Sequence, residues 1–138
     1  MHINPYLNFG GRCAEAFTFY KNQLNGQDLA LMPFRGSPAE AHEPEQWRDK
    51  IMHASLQLGP TTLMGSDGMS GQAYQGIQGC SITLNADSDQ EAKRLFLALS
   101  EKGSVKMPME KTFWASSFGM LTDQFGVDWM VMHQGEQA

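Results

Sequence analysis

The two halves of the chain repeat one pattern, and this repeat constrains the fold more than any other feature. Residues 7–26 and residues 84–103 both open on Leu-Asn and close on Gly, with the same spacing between them. In each half a strand-like run leads into a stretch whose apolar residues recur every three or four positions. A single repeat of this size cannot cover its own sheet, so the two copies are expected to pair.

One α-helix is predicted in each half. The first follows a Gly-Gly pair, and the second begins at an S-x-x-E capping box formed by Ser88 and Glu91. Gly26 and Gly103 are predicted to terminate the two helices. The first apolar face comprises Cys13, Phe17, Tyr20 and Leu24, and the second comprises Ala92, Leu95, Phe96 and Leu99. The membership of Cys13 in this face favours an inert core thiol over a reactive one at the helix start.

Strand-like runs account for most of the remaining chain. The first half has runs at residues 3–9, 28–34, 50–58 and 61–66, and the second half has runs at 80–86, 104–109, 117–122 and 127–133. The predicted order is therefore strand, helix and three strands, twice. Between the second and third runs, residues 33–49 carry three prolines and Trp47 without a sustained period. This segment is expected to be a mobile loop, with Trp47 packed on the outside of the sheet or serving as a lid.

The densest apolar segment is residues 111–132, KTFWASSFGMLTDQFGVDWMVM, which predicts two strands joined by a turn. Its TFW…FGxxTDxFGVxWM pattern resembles the end of PhnB-like proteins of the vicinal oxygen chelate superfamily, which includes glyoxalase I, bleomycin-resistance proteins and extradiol dioxygenases. Residues 5–20, with PYLNFGG followed by CAEA and FY, and residues 53–67, with HA followed by TLMGSD, are similar to the same family. The resemblance covers nearly the whole chain.

The resemblance implies an α+β fold in which two βαβββ modules form a curved, barrel-like mixed sheet with the helices outside. Residues 1–138 then make one domain, with module 1 at about 1–67, module 2 at about 79–138, and a glycine-rich link between them. It also implies a homodimer. The modules pair either within one chain or between two, and the sequence leaves both arrangements open.

Composition excludes several classes of protein. The 138 residues are 41% apolar and 18% charged, as in a globular domain. No apolar run is long enough to span a membrane, and the N-terminal residues do not form a secretion signal, so a cytoplasmic protein is expected. A net charge of −5 argues against a nucleic-acid partner. Two cysteines form no disulfide framework and match no zinc spacing.

The superfamily resemblance also implies where a metal ion would be held. In metal-dependent members, His, Gln or Glu side chains project from the first and last strand of each module. The corresponding positions here carry Asn4, Tyr6 or Asn8, then Leu63 or Met64, then Ser81, and finally Met130. Such side chains do not hold a hard or borderline dication, so no metal and no cofactor is predicted.

What remains is an apolar crevice with a few polar groups, as in many small-molecule sites. Strand alternation places the candidate ligand-binding residues in this crevice, while the alternative is that they only fill the interior of the barrel. The candidates are Tyr6, Asn8 and His53 from the first module, and Ser81, Thr83, Trp114, Phe118 and Met130 from the second. No catalytic residue is assigned, and Asp67, Asp123 and Asp128 are interpreted as turn residues.

Two functions follow. The first is a metal-free protein that binds a small, partly aromatic or amphipathic molecule. The alternative is a metal-dependent lyase, isomerase or dioxygenase of the same superfamily, with an atypical ligand set that includes His53. Some family members are labelled as methyltransferase-like or after phosphonate metabolism. The sequence carries no nucleotide-binding glycine motif for a methyl donor and no basic cluster for a phosphonate.

Overall fold

The computed structural model describes residues 1–135, which form two compact units that divide after Gly76. Unit 1 contains β1 (Tyr6–Asn8), α1 (Cys13–Gln23), β2 (Gln27–Pro33), two short 3-10 helices (Glu40–His42 and Glu45–Trp47), β3 (Ile51–Leu58) and β4 (Thr61–Ser66). Unit 2 contains β5 (Ser81–Asn85), α2 (Asp89–Ser100), β6 (Ser104–Glu110), β7 (Ser117–Thr122) and β8 (Asp128–His133). The predicted α+β class and its two βαβββ modules are confirmed.

Each unit has one mixed, four-stranded sheet, and the two sheets share one topology. Sheet A of unit 1 has the order β1-β4-β3-β2, and sheet B of unit 2 has the order β5-β8-β7-β6. The pairs β1–β4 and β5–β8 are parallel and the others are antiparallel. Over residues 1–135 the strands thus pair into two separate sheets and not into a closed barrel.

The predicted first strand is shortened from residues 3–9 to Tyr6–Asn8. Pro5 has no N–H to donate, and it lies immediately before the strand. Its carbonyl accepts a hydrogen bond from the Met64 nitrogen at 3.1 Å, so the chain still meets β4 there.

One face of each sheet packs against the helix of its own unit. Phe17 and Tyr20 of α1 are fully buried, as is Leu99 of α2. Close approach is possible because a glycine lies beneath an aromatic ring in each unit. A Cβ at Gly65 would be 2.7 Å from Phe17 Cε1, and a Cβ at Gly119 would be 2.7 Å from Phe96 Cε2.

The helix ends differ from the prediction in the same way in both units. The left-handed residue that follows each helix is not the glycine but the residue before it, Asn25 in unit 1 and Lys102 in unit 2. Gly26 and Gly103 serve close packing instead, since a Cβ would meet the Leu56 side chain and the Thr122 carbonyl respectively. At the start of α2 the capping box is half formed: Ser88 Oγ accepts from the Glu91 nitrogen at 3.1 Å, while the Glu91 carboxylate pairs with Arg94.

No helix in the described part of the chain is long and apolar enough to cross a membrane.

Candidate functional site

The distal face of each sheet, meaning the face opposite its helix, carries the predicted site residues. Cross-strand partners lie on the same face of a sheet, so the register defines a central row on each distal face. In sheet A this row is Tyr6, Met64, Ser55 and Ala30. In sheet B it is Thr83, Met130, Met120 and Met107. The two rows are equivalent, because the Leu-Asn repeat places Tyr6 and Thr83 at the same position of their units.

Tyr6 and His53 meet on the distal face of sheet A. Tyr6 Oη and His53 Nδ1 share a hydrogen bond of 3.1 Å, and the two ring centroids are 5.6 Å apart. Partial burial raises the pKa of Tyr6, while a hydrogen bond with Ser66 acts in the opposite direction. Tyr6 is therefore a neutral phenol at physiological pH. This pair provides a compact set of donors and acceptors beside the Met64 thioether.

Asn8 is engaged in local structure. Its side-chain Oδ1 accepts from the Gly10 nitrogen at 3.0 Å, and its carbonyl accepts from the Tyr74 hydroxyl at 2.9 Å. The residue closes the end of β1 and lines a cavity beneath the segment that follows β4. Its role in a ligand site on the distal face stays a prediction.

The distal face of sheet B is dominated by thioethers. Thr83 Oγ1 lies 3.8 Å from Met130 Sδ, and Met120 and Met107 continue the row across the sheet. A second row pairs Ser81 with Asp128 and Asp128 with Thr122. The Thr122 hydroxyl donates to the Asp128 carboxylate, and Lys106 Nζ is 3.1 Å from it. These contacts hold the pKa of Asp128 below its usual range.

Three aromatic rings continue this face toward solvent. The Trp114 ring lies 5.3 Å from that of Phe118 at 72°, and the Phe113 ring lies 4.7 Å from that of Trp114. Phe118 is buried, whereas Trp114 is 39% and Phe113 93% exposed. Two large rings that remain this accessible on a methionine-rich surface favour contact with another apolar molecule.

The structure thus places three predicted residues on unit 1 and five on unit 2. It brings Tyr6 to His53, Thr83 to Met130, and Trp114 to Phe118. Sequence reasoning missed Met107, Met120 and Met132, which share the distal face of sheet B. The high methionine count was the available signal, but only the register shows that these side chains are neighbours.

The residue types on the distal faces do not fit a catalytic dication. The central rows and His53 offer phenol, imidazole, hydroxyl and thioether groups, and the Asp128 carboxylate is already engaged by Thr122 and Lys106. A catalytic dication takes carboxylate and several imidazole ligands. Within residues 1–135 no three His, Cys, Asp or Glu side chains come close enough to hold one. Metal-free binding stays a prediction, which metal analysis of the purified protein would test.

Polar residues outside the distal faces have structural partners. Burial raises the pKa of the Cys13 thiol, with the Asp67 charge acting in the same direction, as suits a core thiol. Asp67 and Asp123 are buried and accept backbone N–H groups where β4 and β7 end. Turn contacts therefore account for Asp123, as predicted, whereas Asp67 joins segments that are distant in the sequence.

The long loop before β3 is organised by ion pairs and by Trp47. Arg35 contacts Glu45 and Asp49, each at 2.7 Å. The Trp47 indole donates to the Gly68 carbonyl at 2.9 Å, so the ring packs against the segment after β4. The mobility of this loop, and a lid role for Trp47, stay predictions.

The fold is that of glyoxalase/bleomycin-resistance proteins. A glyoxalase/bleomycin resistance protein from Albidiferax ferrireducens T118 is 12% identical, with a TM-score of 0.64 over 95% of this chain and 97% of its own. The PhnB protein from Bacillus cereus is 20% identical, with a TM-score of 0.77 over 96% and 99%. Both likenesses concern the fold.

Similarity in sequence identifies the family more specifically than these likenesses of fold do. The family model described as 3-demethylubiquinone-9 3-methyltransferase matches residues 1–132. Protein YjdN of Escherichia coli K12 is 34% identical over 140 residues, covering 95% of this chain and 94% of YjdN. The crystal structure of protein PA1353 from Pseudomonas aeruginosa is 55% identical, with a TM-score of 0.89 over 100% and 99% of the two chains. The chain belongs to the family that this model describes, and it shares its fold with glyoxalase/bleomycin-resistance proteins.

Proposed function

We propose that the protein binds a small, partly aromatic or amphipathic molecule without the help of a metal ion. The observation that carries the proposal is the central row of sheet B, in which Thr83 adjoins Met130, Met120 and Met107. Methionine side chains are flexible and polarisable, so a face built from them adapts to ligands of different shape. All three methionines retain exposed surface.

Polar groups at the margin of such a face supply orientation. On sheet B these are the hydroxyls of Thr83 and Ser81, which lie on the same strand two residues apart. Phe118 and Trp114 offer rings against which a planar ligand can stack. An apolar surface with a few placed donors and acceptors is the usual composition of a small-molecule site.

The description of the matched family names methyl transfer to a demethylated ubiquinone. The named acceptor has a polar ring on a long isoprenoid chain, so it supports the amphipathic character of the proposed ligand and not its small size. Methyl transfer itself is one arm of the test, through incubation with S-adenosylmethionine and a quinol. A transferred methyl group would replace the binding proposal with an enzymatic one.

The superfamily alternative is a metal-dependent lyase, isomerase or dioxygenase that uses His53. One observation favours it: His53 lies on the distal face of sheet A beside a phenol, and its Nδ1 is held by that phenol. A single imidazole leaves most coordination positions to water. Elemental analysis of protein purified without chelators decides between the two. One tightly held ion per chain, lost in His53→Ala, would establish the alternative.

Homodimer formation and a cytoplasmic location belong to the same proposal, as does the absence of a nucleic-acid or membrane partner. The net charge of −5 supports the exclusion of nucleic acid. Light scattering at high micromolar concentration tests the dimer, and a monomer there would contradict it.

The binding experiment is a thermal-shift screen of aromatic and amphipathic compounds, with and without divalent ions. A ligand present at 100 times its Kd should stabilise the protein by about 2.7 kcal/mol. Ser55 occupies the third position of the sheet A row, where sheet B has Met120. Met120→Ser therefore gives the sheet B row the side chain of sheet A at that position, and it should weaken binding. The matched control is Leu97→Ser, because Leu97 is 72% exposed on α2. Equal weakening in both variants, or binding only with added metal, would contradict the proposal.

A further inference from the structure

A cavity of about 240 Å³ lies within unit 1, and none of its lining residues belongs to the central row of sheet A. It is bounded by the end of β1, by Trp47 and by the glycine-rich segment 67–76. The side chains that matter for its chemistry are those of Asn8, Trp47, Asp67, Met69, Gln72 and Tyr74. Its volume is smaller than that of a drug-sized site and suits a compact ligand.

Both aromatic rings of the cavity are fixed in place. The Trp47 indole donates to the Gly68 carbonyl, and the Tyr74 hydroxyl donates to the Asn8 carbonyl, each at 2.9 Å. The Tyr74 ring lies directly on Gly10, which has a φ of +60°, and a Cβ there would overlap the ring. Rings held in this way can receive a ligand without losing side-chain freedom, which favours binding.

The charged side chain that lines the cavity is negative. Among its thirteen lining residues, all within the described chain, Asp67 is the one ionisable carboxylate, and none is Lys, Arg or His. Glu43 is buried behind the lining, with a carboxylate oxygen 3.2 Å from the Ser70 nitrogen. The Lys50 ammonium lies nearby on the Gly11 carbonyl, at 3.1 Å.

An anion is not favoured in this cavity. Backbone N–H groups of glycine-rich turns often bind anions, but three of those that line this cavity are already engaged. Gly10, Gly68 and Ser70 donate to Asn8 Oδ1, Ser66 Oγ and the Glu43 carboxylate, at 3.0, 2.9 and 3.2 Å respectively. An incoming anion would meet fixed negative charge with these donors already engaged.

We propose that this cavity binds a small organic cation of the quaternary-ammonium type. Aromatic faces attract such a cation through their quadrupoles, and the attraction is larger in a partly desolvated site. Trp47 and Tyr74 supply the faces, the Met69 thioether adds polarisable surface, and Asp67 supplies the negative field. The site is separate from the proposed apolar ligand surface of sheet B, so either can fail without the other.

Choline and its uncharged carbon analogue 3,3-dimethyl-1-butanol are suitable probes, because they have nearly the same shape. Titration of the full chain is followed by two-dimensional amide NMR, which locates binding on residues 67–76. Choline should shift these resonances saturably, and the alcohol should bind at least about tenfold more weakly, the ratio that 1.4 kcal/mol of cation attraction produces. Equal binding of the two probes, or stronger binding of inorganic phosphate, would overturn the proposal.

Two kinds of variant test the residues. Tyr74→Leu removes one aromatic face and should abolish saturable choline binding, while Phe19→Leu, at a half-buried ring of α1, is the matched aromatic control. Tyr74→Leu also removes the hydrogen bond to the Asn8 carbonyl, so it can change the structure of the cavity itself. Substitutions at Gln72 change the charge at the cavity without removing this contact. Gln72 is exposed on the cavity rim. Gln72→Lys should weaken choline binding severalfold and Gln72→Glu should strengthen it, and no change in either direction would contradict the proposal.

Discussion

The two units have the same topology and equivalent central rows, yet their distal faces differ in chemistry. In sheet A the row is Tyr6, Met64, Ser55 and Ala30, while in sheet B it is Thr83, Met130, Met120 and Met107. Only the second position is methionine in both. The first row combines a phenol, one thioether and two small side chains, and its phenol contacts the His53 imidazole. The second row carries three adjacent thioethers.

The faces covered by the helices, in contrast, are alike in the two units. Both place an aromatic ring of the helix over a strand glycine, Phe17 over Gly65 and Phe96 over Gly119. Helix packing tolerates little change in side-chain volume, so both covered faces keep the same pairing of an aromatic ring with a glycine. The distal faces are free of that constraint within each unit, and this is why their side chains can differ.

Each unit has one buried aspartate that accepts N–H groups, but the two aspartates act over different distances in the sequence. Asp67 accepts hydrogen bonds from Gly11, Cys13 and Ile51, which begin α1 and β3. Asp123 accepts from Phe125, Val127 and the Trp129 indole, all within the β7–β8 hairpin. One carboxylate joins distant segments, and the other organises a local turn.

The largest expected effect comes from removing these carboxylates. Asp67→Ala leaves two buried donors and one half-buried donor unpaired, and Asp123→Ala leaves three buried donors unpaired. Each variant should lower the free energy of unfolding by about 3 kcal/mol. Chemical denaturation measures the loss, with exposed Asp87→Ala as the control. Hydrogen exchange separates the variants: Asp67→Ala should expose the starts of α1 and β3, and Asp123→Ala only the hairpin. The same exchange pattern in both variants would contradict the distinction.

An intermediate effect is expected at the two packing glycines. A Cβ at either glycine would lie 2.7 Å from a helix aromatic ring, Phe17 for Gly65 and Phe96 for Gly119. The other close atom is the Leu7 carbonyl at 2.9 Å for Gly65, but the Met109 thioether at 2.6 Å for Gly119. A flexible side chain can move aside and a strand carbonyl cannot. Gly65→Ala should therefore cost about 3 kcal/mol and Gly119→Ala about 1 kcal/mol. Thermal unfolding measures both, and Phe17→Leu should recover part of the loss in Gly65→Ala if the clash is the cause.

The smallest effect is a pH dependence confined to sheet B. The Thr122 hydroxyl and Lys106 lower the pKa of Asp128, so its stabilising contribution is present above the unfolded pKa. It is lost as the pH falls through the lower, folded pKa, and it is below about 1 kcal/mol because the pair is partly exposed. Asp128→Asn should flatten this part of the acid stability curve. Sheet A has uncharged Thr62 at the equivalent position, so Thr62→Val should leave the curve's shape unchanged.

The face of the sheet on which many candidate residues lie was predictable from the sequence, because side chains alternate between the two faces along a strand. Tyr6 and Asn8 share a face by period two, and Thr83 and Ser81 do so for the same reason. The contact of Tyr6 with His53 was not predictable, since it depends on two strands 47 residues apart becoming close in space. The cavity near Trp47 was missed because two irregular loops, without any period, form it together.

The sequence by itself determined the type and order of the elements, the helix stripes and the duplicated βαβββ plan. These follow from local periodicity and turn chemistry, which act within a few residues. The tertiary structure decided which strands are neighbours, and hence that Met130 lies between Thr83 and Met120. It also decided that Asn25 and Lys102, and not the glycines after them, take the left-handed conformation. Gly26 and Gly103 are needed for close packing against distant residues, which no local pattern records.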